Sequence, residues 1–303
     1  MIYLDHAATS FPKSEAVYRA MDDAARRSLG NPGRAGHRLS RDAERIVDRC
    51  RSQLRQFLGG ESPERFIFTL NGTDALNLAI KGTLRPGDHV VCGVLEHNSV
   101  LRPLASLEQR GIVTRTIVGC DDEGYYRPAD FAAAVGDRTR LVVAAHASNV
   151  LGTVQPITEI GRICRERGIL FLLDAAQTAG CLPIDLENMP VDLLAAPGHK
   201  GLGGPTGTGV LYVGPRAEPA AWREGGTGGD SIQPLQPGEL PIRLEAGTPN
   251  VLGIAGLSAA LADLQESGRE RIEAREIALA RRLRRIVRKT AGVRLLEIGR
   301  AHV

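Results

Sequence analysis

Short apolar runs alternate with amphipathic helical patterns along most of this chain. Seven runs have the length and composition of β-strands, and they cover 65–70, 89–94, 112–118, 141–145, 169–173, 193–195 and 210–213. Helical periodicity falls between several of them at 74–82, 100–109, 129–135 and 157–167, and precedes the first at 16–24 and 46–58. Because the strand runs are continuous and helices separate them, the pattern predicts a mostly parallel sheet covered on both faces.

The last part of the chain has a different pattern. A loop-rich stretch, 223–249, precedes two further helical patterns at 253–265 and 269–289. The second is strongly basic, but an apolar stripe accompanies its arginines, so we interpret them as a solvated helix face rather than a nucleic-acid surface. We predict an N-terminal segment at 1–13, a large domain at 14–250 and the start of a small C-terminal domain at 251–303.

Composition narrows the class of protein. The 303 residues are 43% hydrophobic and 24% charged, typical of a globular protein, and the net charge of +3 is spread along the chain, which argues against a nucleic-acid partner. The sequence shows neither a signal peptide nor an apolar run of membrane-spanning length, so we expect a cytoplasmic protein without membrane contact. The five cysteines lack metal-ligand spacing, and we expect reduced thiols and no metal site.

Two polar residues follow core strands and carry the first chemical signal. Asp174 comes directly after the run 169–173, and Lys200 lies in the loop after 193–195. Alone, each has an ordinary explanation, as a helix cap and as a surface lysine. Together they are the pair that pyridoxal phosphate chemistry needs, because the lysine forms a Schiff base with the cofactor aldehyde and the carboxylate keeps the pyridine nitrogen protonated. Ligands of parallel sheets bind at this end of the strands.

Three more strand ends carry candidate ligands. Thr73 begins a predicted helix, where its hydroxyl and free backbone N–H groups would hold a phosphate, although a helix cap gives the same pattern. His97 could stack on the cofactor ring, although a loop histidine is more often solvated. Asn149 could donate to the cofactor's phenolic oxygen or to a substrate carboxylate, or could simply form a turn.

In order and spacing, these segments resemble the class V aminotransferase superfamily, specifically its cysteine desulfurase and selenocysteine lyase branch. Four further segments carry the resemblance, which extends to about Val293: YLDHAAT at 3–9, GNPGR at 30–34, GHRLS at 36–40 and EAGTPN at 245–250. The resemblance implies an α/β fold of the fold-type I pyridoxal phosphate enzymes. Such a fold has a mostly parallel seven-stranded sheet between helices. In this chain we expect the small C-terminal domain to be incomplete, and we expect the first dozen residues to cross to it.

The resemblance also implies roles for individual residues. Lys200 becomes the Schiff-base lysine, Asp174 the pyridinium partner, Gln177 a donor to the phenolic oxygen, and His97 the ring-stacking, proton-shuttling imidazole. The implied phosphate ligands are Thr73, the backbone of Gly72 and His199.

A homodimer is implied as well. In this family a threonine of the Ala-Gly-Thr segment reaches the phosphate of the neighbouring subunit, which nominates Thr248. Arg34 and His37 match the segment that approaches the partner's active site.

The implied reaction is pyridoxal-phosphate-dependent removal of sulfur from L-cysteine, which leaves alanine and an enzyme persulfide for a sulfur-acceptor protein. L-selenocysteine as substrate is the close alternative, and class V transamination is a further one. An interpretation of another class also stays open, namely a non-catalytic pyridoxal phosphate-binding fragment or a sulfur-transfer scaffold.

The sequence departs from the family pattern in two places. The residue three before the lysine is usually Ser or Thr but here is Pro197, a loss that predicts phosphate binding weaker by about 1.5–3 kcal/mol. The persulfide-forming cysteine and the carboxylate-binding arginine of the family have no match in this chain, so we expect it to have lost the activity. Residues 297–303 leave the family pattern, and 298–303 read as a sequencing-adaptor oligonucleotide encodes them. We expect the final residues to be artefactual in a natural protein that is longer, the alternative being a genuine short ending.

Overall fold

The computed structural model describes residues 2–33, 36–227 and 234–293. The expectations for Arg34 and for 297–303 lie outside the described residues. Within these ranges the chain forms two short 3-10 helices, Pro63–Arg65 and Ile242–Leu244, together with eight α-helices and seven strands: α1 Glu15–Arg27, α2 Arg38–Leu58, β1 Phe66–Thr69, α3 Gly72–Thr83, β2 His89–Gly93, α4 Asn98–Gln109, β3 Thr114–Val118, α5 Pro128–Ala134, β4 Thr139–Ala145, α6 Ile157–Glu166, β5 Leu170–Asp174, β6 Leu193–Pro197, β7 Gly209–Val213, α7 Val251–Ser267 and α8 Arg269–Arg288.

The seven strands form one sheet in the order β1-β7-β6-β5-β4-β2-β3. Strand β7 runs antiparallel to both its neighbours, β1 and β6, and the other four pairings are parallel. Each predicted strand and helix is found within a few residues of its expected place, except that α2 begins well before 46. The prediction of a mostly parallel seven-stranded sheet with helices is confirmed.

The apolar core lies on both faces of the sheet. Successive strand residues point to opposite faces, so Phe171 joins one apolar cluster and Leu172 the other. Residues of α2, α6 and α7 cover the first face, and residues of α3 and α4 cover the second. Because both faces are buried, each strand is apolar throughout, which is why its sequence is a continuous run.

Side-chain caps fix where several helices begin. Asn71 accepts from the N–H of Asp74 at 2.9 Å and starts α3, and His97 accepts from the N–H of Ser99 at 3.1 Å and starts α4. Such caps satisfy backbone donors that have no carbonyl in a preceding turn. They place the first turns of α3 and α4 side by side above the parallel strands.

The last two helices differ in how they pack. Helix α7 contributes Val251, Ile254 and Leu257 to the core and contacts α1 and α2. Helix α8 leaves Leu283 61% exposed and Ile286 55% exposed, so its apolar stripe faces outward. The division into domains at 250 stays a prediction. No helix in the described part of the chain is long and apolar enough to cross a membrane.

Candidate active site

A cavity of about 300 Å³ opens at the carboxyl ends of β4, β5 and β6, beside the first turns of α3 and α4. Eight of the nine predicted site residues line it, Thr248 being the exception: Gly72, Thr73, His97, Asn149, Asp174, Gln177, His199 and Lys200. Residues from five separate strand ends thus meet in one place. This convergence is what a parallel sheet provides at the end where its strands finish.

Asp174 is the last residue of β5 and is 5% exposed. Its Oδ1 accepts from the N–H of Ala176 at 2.9 Å. Burial raises the pKa of this carboxyl, and the Ala176 N–H and the nearby His97 and Lys200 act in the opposite direction. Within the described residues Asp174 forms no ion pair, and a buried carboxylate in that situation favours a cation beside it. The protonated nitrogen of a pyridine ring is such a cation.

Lys200 lies in the turn that follows β6 and lines the same cavity as Asp174. Backbone hydrogen bonds hold this turn, with Gly198 N–H donating to Thr208 O at 2.8 Å and Gly203 N–H donating to Lys200 O at 2.9 Å. Burial lowers the pKa of the Lys200 ammonium, although the nearby Asp174 opposes this effect. The amine is therefore closer to its neutral, nucleophilic form than an exposed lysine.

The N-terminal segment binds to the Lys200 turn. Ser10 N–H donates to His199 O at 3.0 Å, Ser10 Oγ donates to Lys200 O at 3.1 Å, and Lys13 Nζ donates to His199 O at 2.8 Å. Burial lowers the pKa of Lys13 to about 8. Sequence reasoning missed this role of Lys13, because no local pattern shows contacts between residues so far apart in the chain.

The other end of the cavity offers donors for an anion. The N–H groups of Gly72 and Thr73 begin α3, where a helix has unsatisfied donors and a positive dipole end. A Cβ on Gly72 would lie 3.2 Å from the Pro197 ring, so a side chain here would push this helix start and β6 apart by a few tenths of an ångström. The ring nitrogen Nδ1 of His199 is buried and has no hydrogen-bond partner among the described residues.

His97 and Ser99 form a linked pair at the start of α4. His97 Nδ1 lies 2.8 Å from Ser99 Oγ, and Ser99 Oγ lies 2.7 Å from Thr73 Oγ1. Ser99 is buried and lines the cavity. Sequence reasoning did not select it, although its position two residues after His97 at a predicted helix start was a usable signal.

Glu96 precedes His97, binds the cavity-lining Ala145, and is also missing from the predicted set. Its Oε1 accepts from Tyr126 Oη at 3.0 Å and from Ala145 N–H at 2.9 Å, and its buried Oε2 has no partner in the described chain. Burial raises the pKa of Glu96 to about 8, the negative charge of Asp174 adds to this effect, and the two hydrogen bonds oppose it. Glu96 is therefore mostly protonated at neutral pH.

Thr248 lies outside the cavity. It lines a second cavity of about 490 Å³ together with 31–33 and other residues of 245–250. Glu245 fixes the start of this segment, since its two carboxylate oxygens each lie 2.9 Å from the guanidinium of Arg51 and Oε1 accepts from Phe68 N–H at 2.6 Å. The role of Thr248 toward a neighbouring subunit stays a prediction.

The donor set of the cavity fits pyridoxal phosphate. Asp174 can face the ring nitrogen, Lys200 the aldehyde, and the start of α3 the phosphate. Two observations support the fit independently of any family, namely the unpartnered Nδ1 of His199 and the close approach that Gly72 allows. Pro197 lines the cavity where the family pattern has a hydroxyl, so that one donor is absent.

The chain is similar to known proteins over nearly its whole length. The family profile described as aminotransferase class V matches residues 2–302. A protein of Methanothermobacter thermautotrophicus named "Probable cysteine desulfurase" is 36% identical over 301 residues, which cover 96% of this chain and 74% of that protein.

Two solved structures share the fold. The apo structure of cysteine desulfurase from Thermococcus onnurineus NA1 has a TM-score of 0.84 and 32% identity, covering 95% of this chain and 73% of that one. The structure of SspA in complex with cysteine has a TM-score of 0.77 and 30% identity, covering 86% and 72%. By sequence and by fold, the chain belongs to the class V aminotransferase family, in its cysteine desulfurase group of pyridoxal-phosphate-dependent enzymes.

Proposed function

We propose that this chain binds pyridoxal 5'-phosphate in the cavity at the strand ends and that it represents a cysteine desulfurase acting on L-cysteine. The observation that carries the proposal is that buried Asp174 and Lys200 line one cavity with the start of α3. A relative of similar fold holds cysteine in its structure, which supports an amino-acid substrate with a thiol. L-Selenocysteine, which has the same shape, is the close alternative.

When bound, the cofactor supplies an electron sink for bonds at the substrate's α carbon. Asp174 would accept the hydrogen bond of the protonated ring nitrogen and keep that proton in place. Gln177 would donate to the phenolic oxygen, and its Nε2 already reaches Ala7 O at 3.5 Å. His97 would lie against the ring with its Nε2 toward the reacting atoms, because Nδ1 is turned to Ser99.

Lys200 would move the proton of the reaction. Its Nζ would take the proton from the substrate's α carbon and return one later, as a general base and then a general acid. Burial lowers its pKa and so favours the neutral amine that this role needs. Thr73, the N–H of Gly72 and His199 would hold the phosphate and fix the distance from the ring to Lys200.

The sulfur step needs a thiol near the substrate. No cysteine lines the cavity within the described residues, and Cys50, Cys92 and Cys164 are buried in the core. Burial raises the pKa of Cys181 to about 12, so its nucleophilic thiolate is scarce. We therefore propose that the chain alone binds cofactor but does not release sulfur at an enzymatic rate.

The proposal extends to assembly. We propose a homodimer in which Thr248, placed in the second cavity, reaches the phosphate of the neighbouring subunit, and a sulfur-acceptor protein that takes the product in the cytoplasm. The separation of Thr248 from its own chain's cavity supports the first part. Sedimentation in the presence and absence of cofactor tests it.

The decisive experiment adds pyridoxal phosphate to the protein and follows the absorbance band of the lysine-bound cofactor. We expect a band in the wild-type chain and none in Lys200→Ala, while Lys81→Ala on α3, away from the cavity lining, keeps it. Cysteine and a reductant are then added, and alanine and sulfide are measured together. A cofactor band with neither alanine nor sulfide supports a non-catalytic binder. Lys200-dependent release of both at many turnovers would show that one of the chain's own thiols is the nucleophile, with Cys120 and Cys181 the first to replace.

A further inference from the structure

Ser99 joins two residues that the proposed function gives to different parts of the cofactor. Its Oγ lies 2.7 Å from Thr73 Oγ1, at the phosphate end, and 2.8 Å from His97 Nδ1, at the ring. The three side chains line the same cavity, and Ser99 is 6% exposed, so little water competes for these contacts. A single hydroxyl therefore bridges the two subsites.

The donors in this group can be counted. His97 Nδ1 accepts the backbone N–H of Ser99 at 3.1 Å, so Nδ1 carries no proton and the neutral ring carries its proton on Nε2. The hydroxyl of Ser99 can then donate its only proton to Nδ1. Because that proton is used, the contact between Ser99 and Thr73 requires the Thr73 hydroxyl to donate to Ser99 Oγ. Proton donation thus runs from Thr73 through Ser99 to His97.

A phosphate monoester reverses this order. Near neutral pH it carries close to two negative charges and offers acceptors, so Thr73 must turn its O–H toward the phosphate in order to bind it. The contact between Thr73 and Ser99 then survives only if Ser99 donates to Thr73 Oγ1. That rotation removes the Ser99 proton from His97 Nδ1, which keeps only the weaker backbone N–H.

We propose that Ser99 is a positioning residue whose hydroxyl couples occupation of the phosphate subsite to the hydrogen bonding of His97. The proposal rests on the proposed function, because it takes Thr73 as a phosphate ligand and His97 as the imidazole beside the ring. The imidazole has two donors on Nδ1 before a phosphate binds and one afterwards. Its orientation is therefore set for the reaction only once the phosphate is held.

The test uses inorganic phosphate as the probe and the full chain without cofactor. Nitrogen-15 NMR of imidazole-labelled protein follows His97, assigned by its loss in His97→Gln. In the wild type we expect saturable phosphate binding to move Nδ1 downfield, the direction in which an acceptor nitrogen moves when it loses a donor. In Ser99→Ala the phosphate-dependent shift disappears. The affinity of Ser99→Ala for phosphate should differ from that of the wild type by less than about tenfold, because only one hydrogen bond is exchanged.

Three controls separate coupling from damage. Ser99→Thr keeps a hydroxyl and restores the shift, Thr73→Val removes it, and Ser106→Ala, on the exposed face of the same helix, leaves it unchanged. Thermal unfolding of each variant verifies that it folds. The coupling is refuted if phosphate moves Nδ1 equally in Ser99→Ala, or if phosphate does not move Nδ1 in the wild type. The absorbance test depends on Lys200 and not on Ser99, so the two proposals can fail separately. A cofactor absorbance band without the phosphate-dependent NMR shift contradicts only the coupling. The NMR shift without an absorbance band contradicts only the cofactor proposal.

Discussion

Carboxylates in two regions of this molecule have opposite surroundings. Beside the second cavity, Glu245 is held by both guanidinium contacts of Arg51 and by the N–H of Phe68. At the strand ends, Asp174 and Glu96 are buried as deeply or more so, yet neither forms an ion pair among the residues that the structure describes. An ion pair compensates the carboxylate beside the second cavity, whereas burial raises the pKa of both carboxyls at the strand ends, where Asp174 lines the first cavity and would be stabilised by a cation.

The largest expected effect comes from breaking the compensated pair. Glu245→Gln leaves the Arg51 guanidinium buried without a counter-charge, and we expect the free energy of unfolding to fall by about 3–5 kcal/mol. Urea unfolding measures it. The matched control is Glu187→Gln, which removes an exposed partner of Arg55 and costs at most about 1 kcal/mol. Equal losses in the two variants would show that burial of the Arg51–Glu245 pair carries no extra cost.

A double substitution sharpens the same comparison. Arg51→Met with Glu245→Leu removes both charges, and it should recover much of the stability lost in Glu245→Gln, because no buried ion is left alone. If the double variant is as unstable as the single one, packing rather than charge explains the loss.

Glu96 at the strand ends makes the free energy of unfolding depend on pH. Its pKa is about 8 in the folded chain against an ordinary value of 4.5, so its stabilising contribution is complete below about pH 4.5 and is lost as the pH rises through 8. Relative to Glu96→Gln, the wild type should lose about 1.4 kcal/mol of unfolding free energy per pH unit between pH 5 and 8. Gln keeps the acceptor for Tyr126 and Ala145, so the two proteins differ mainly in titration. Parallel stability curves from urea unfolding across this range would contradict the assignment.

The sequence predicts these two regions unequally. The strand ends follow from apolar runs, and parallel topology brings their polar residues together, so the amino-acid pattern alone assigns Asp174, Lys200 and His97 to one site. Glu96 is adjacent to His97 in the chain, but its burial depends on Tyr126 from a distant loop. Ser99 matters only through side-chain contacts with two separate residues. Periodicity reports which face a residue occupies, not which atoms it meets.

Asp174 separates cofactor binding from stability. In Asp174→Asn the amide oxygen still accepts from Ala176 N–H, but the charge that would pair with a protonated ring nitrogen is gone. We expect pyridoxal phosphate affinity to fall by about 10- to 100-fold, because a charge-assisted hydrogen bond contributes about 1.5–3 kcal/mol. Without cofactor, the variant should melt at a higher temperature, since burial no longer penalises a carboxylate. A variant that binds the cofactor as tightly as wild type would remove Asp174 from the ring-nitrogen role.

The smallest expected effect concerns the strand-end cavity, where Pro197 stands in place of a residue that would donate a hydroxyl to the phosphate. Pro197 ends β6 and its ring lies against the start of α3, so a serine there would bring a hydroxyl to the phosphate end of the cavity. We expect Pro197→Ser to bind pyridoxal phosphate about tenfold more tightly, at the lower limit for a hydrogen bond to a charged group, because replacing proline also frees the backbone. Pro197→Ala makes the same backbone change without the hydroxyl and should show no gain. Equilibrium dialysis compares the three proteins, and equal affinities of the Ser and Ala variants would mean that the helix N–H groups, Thr73 and His199 already satisfy the phosphate.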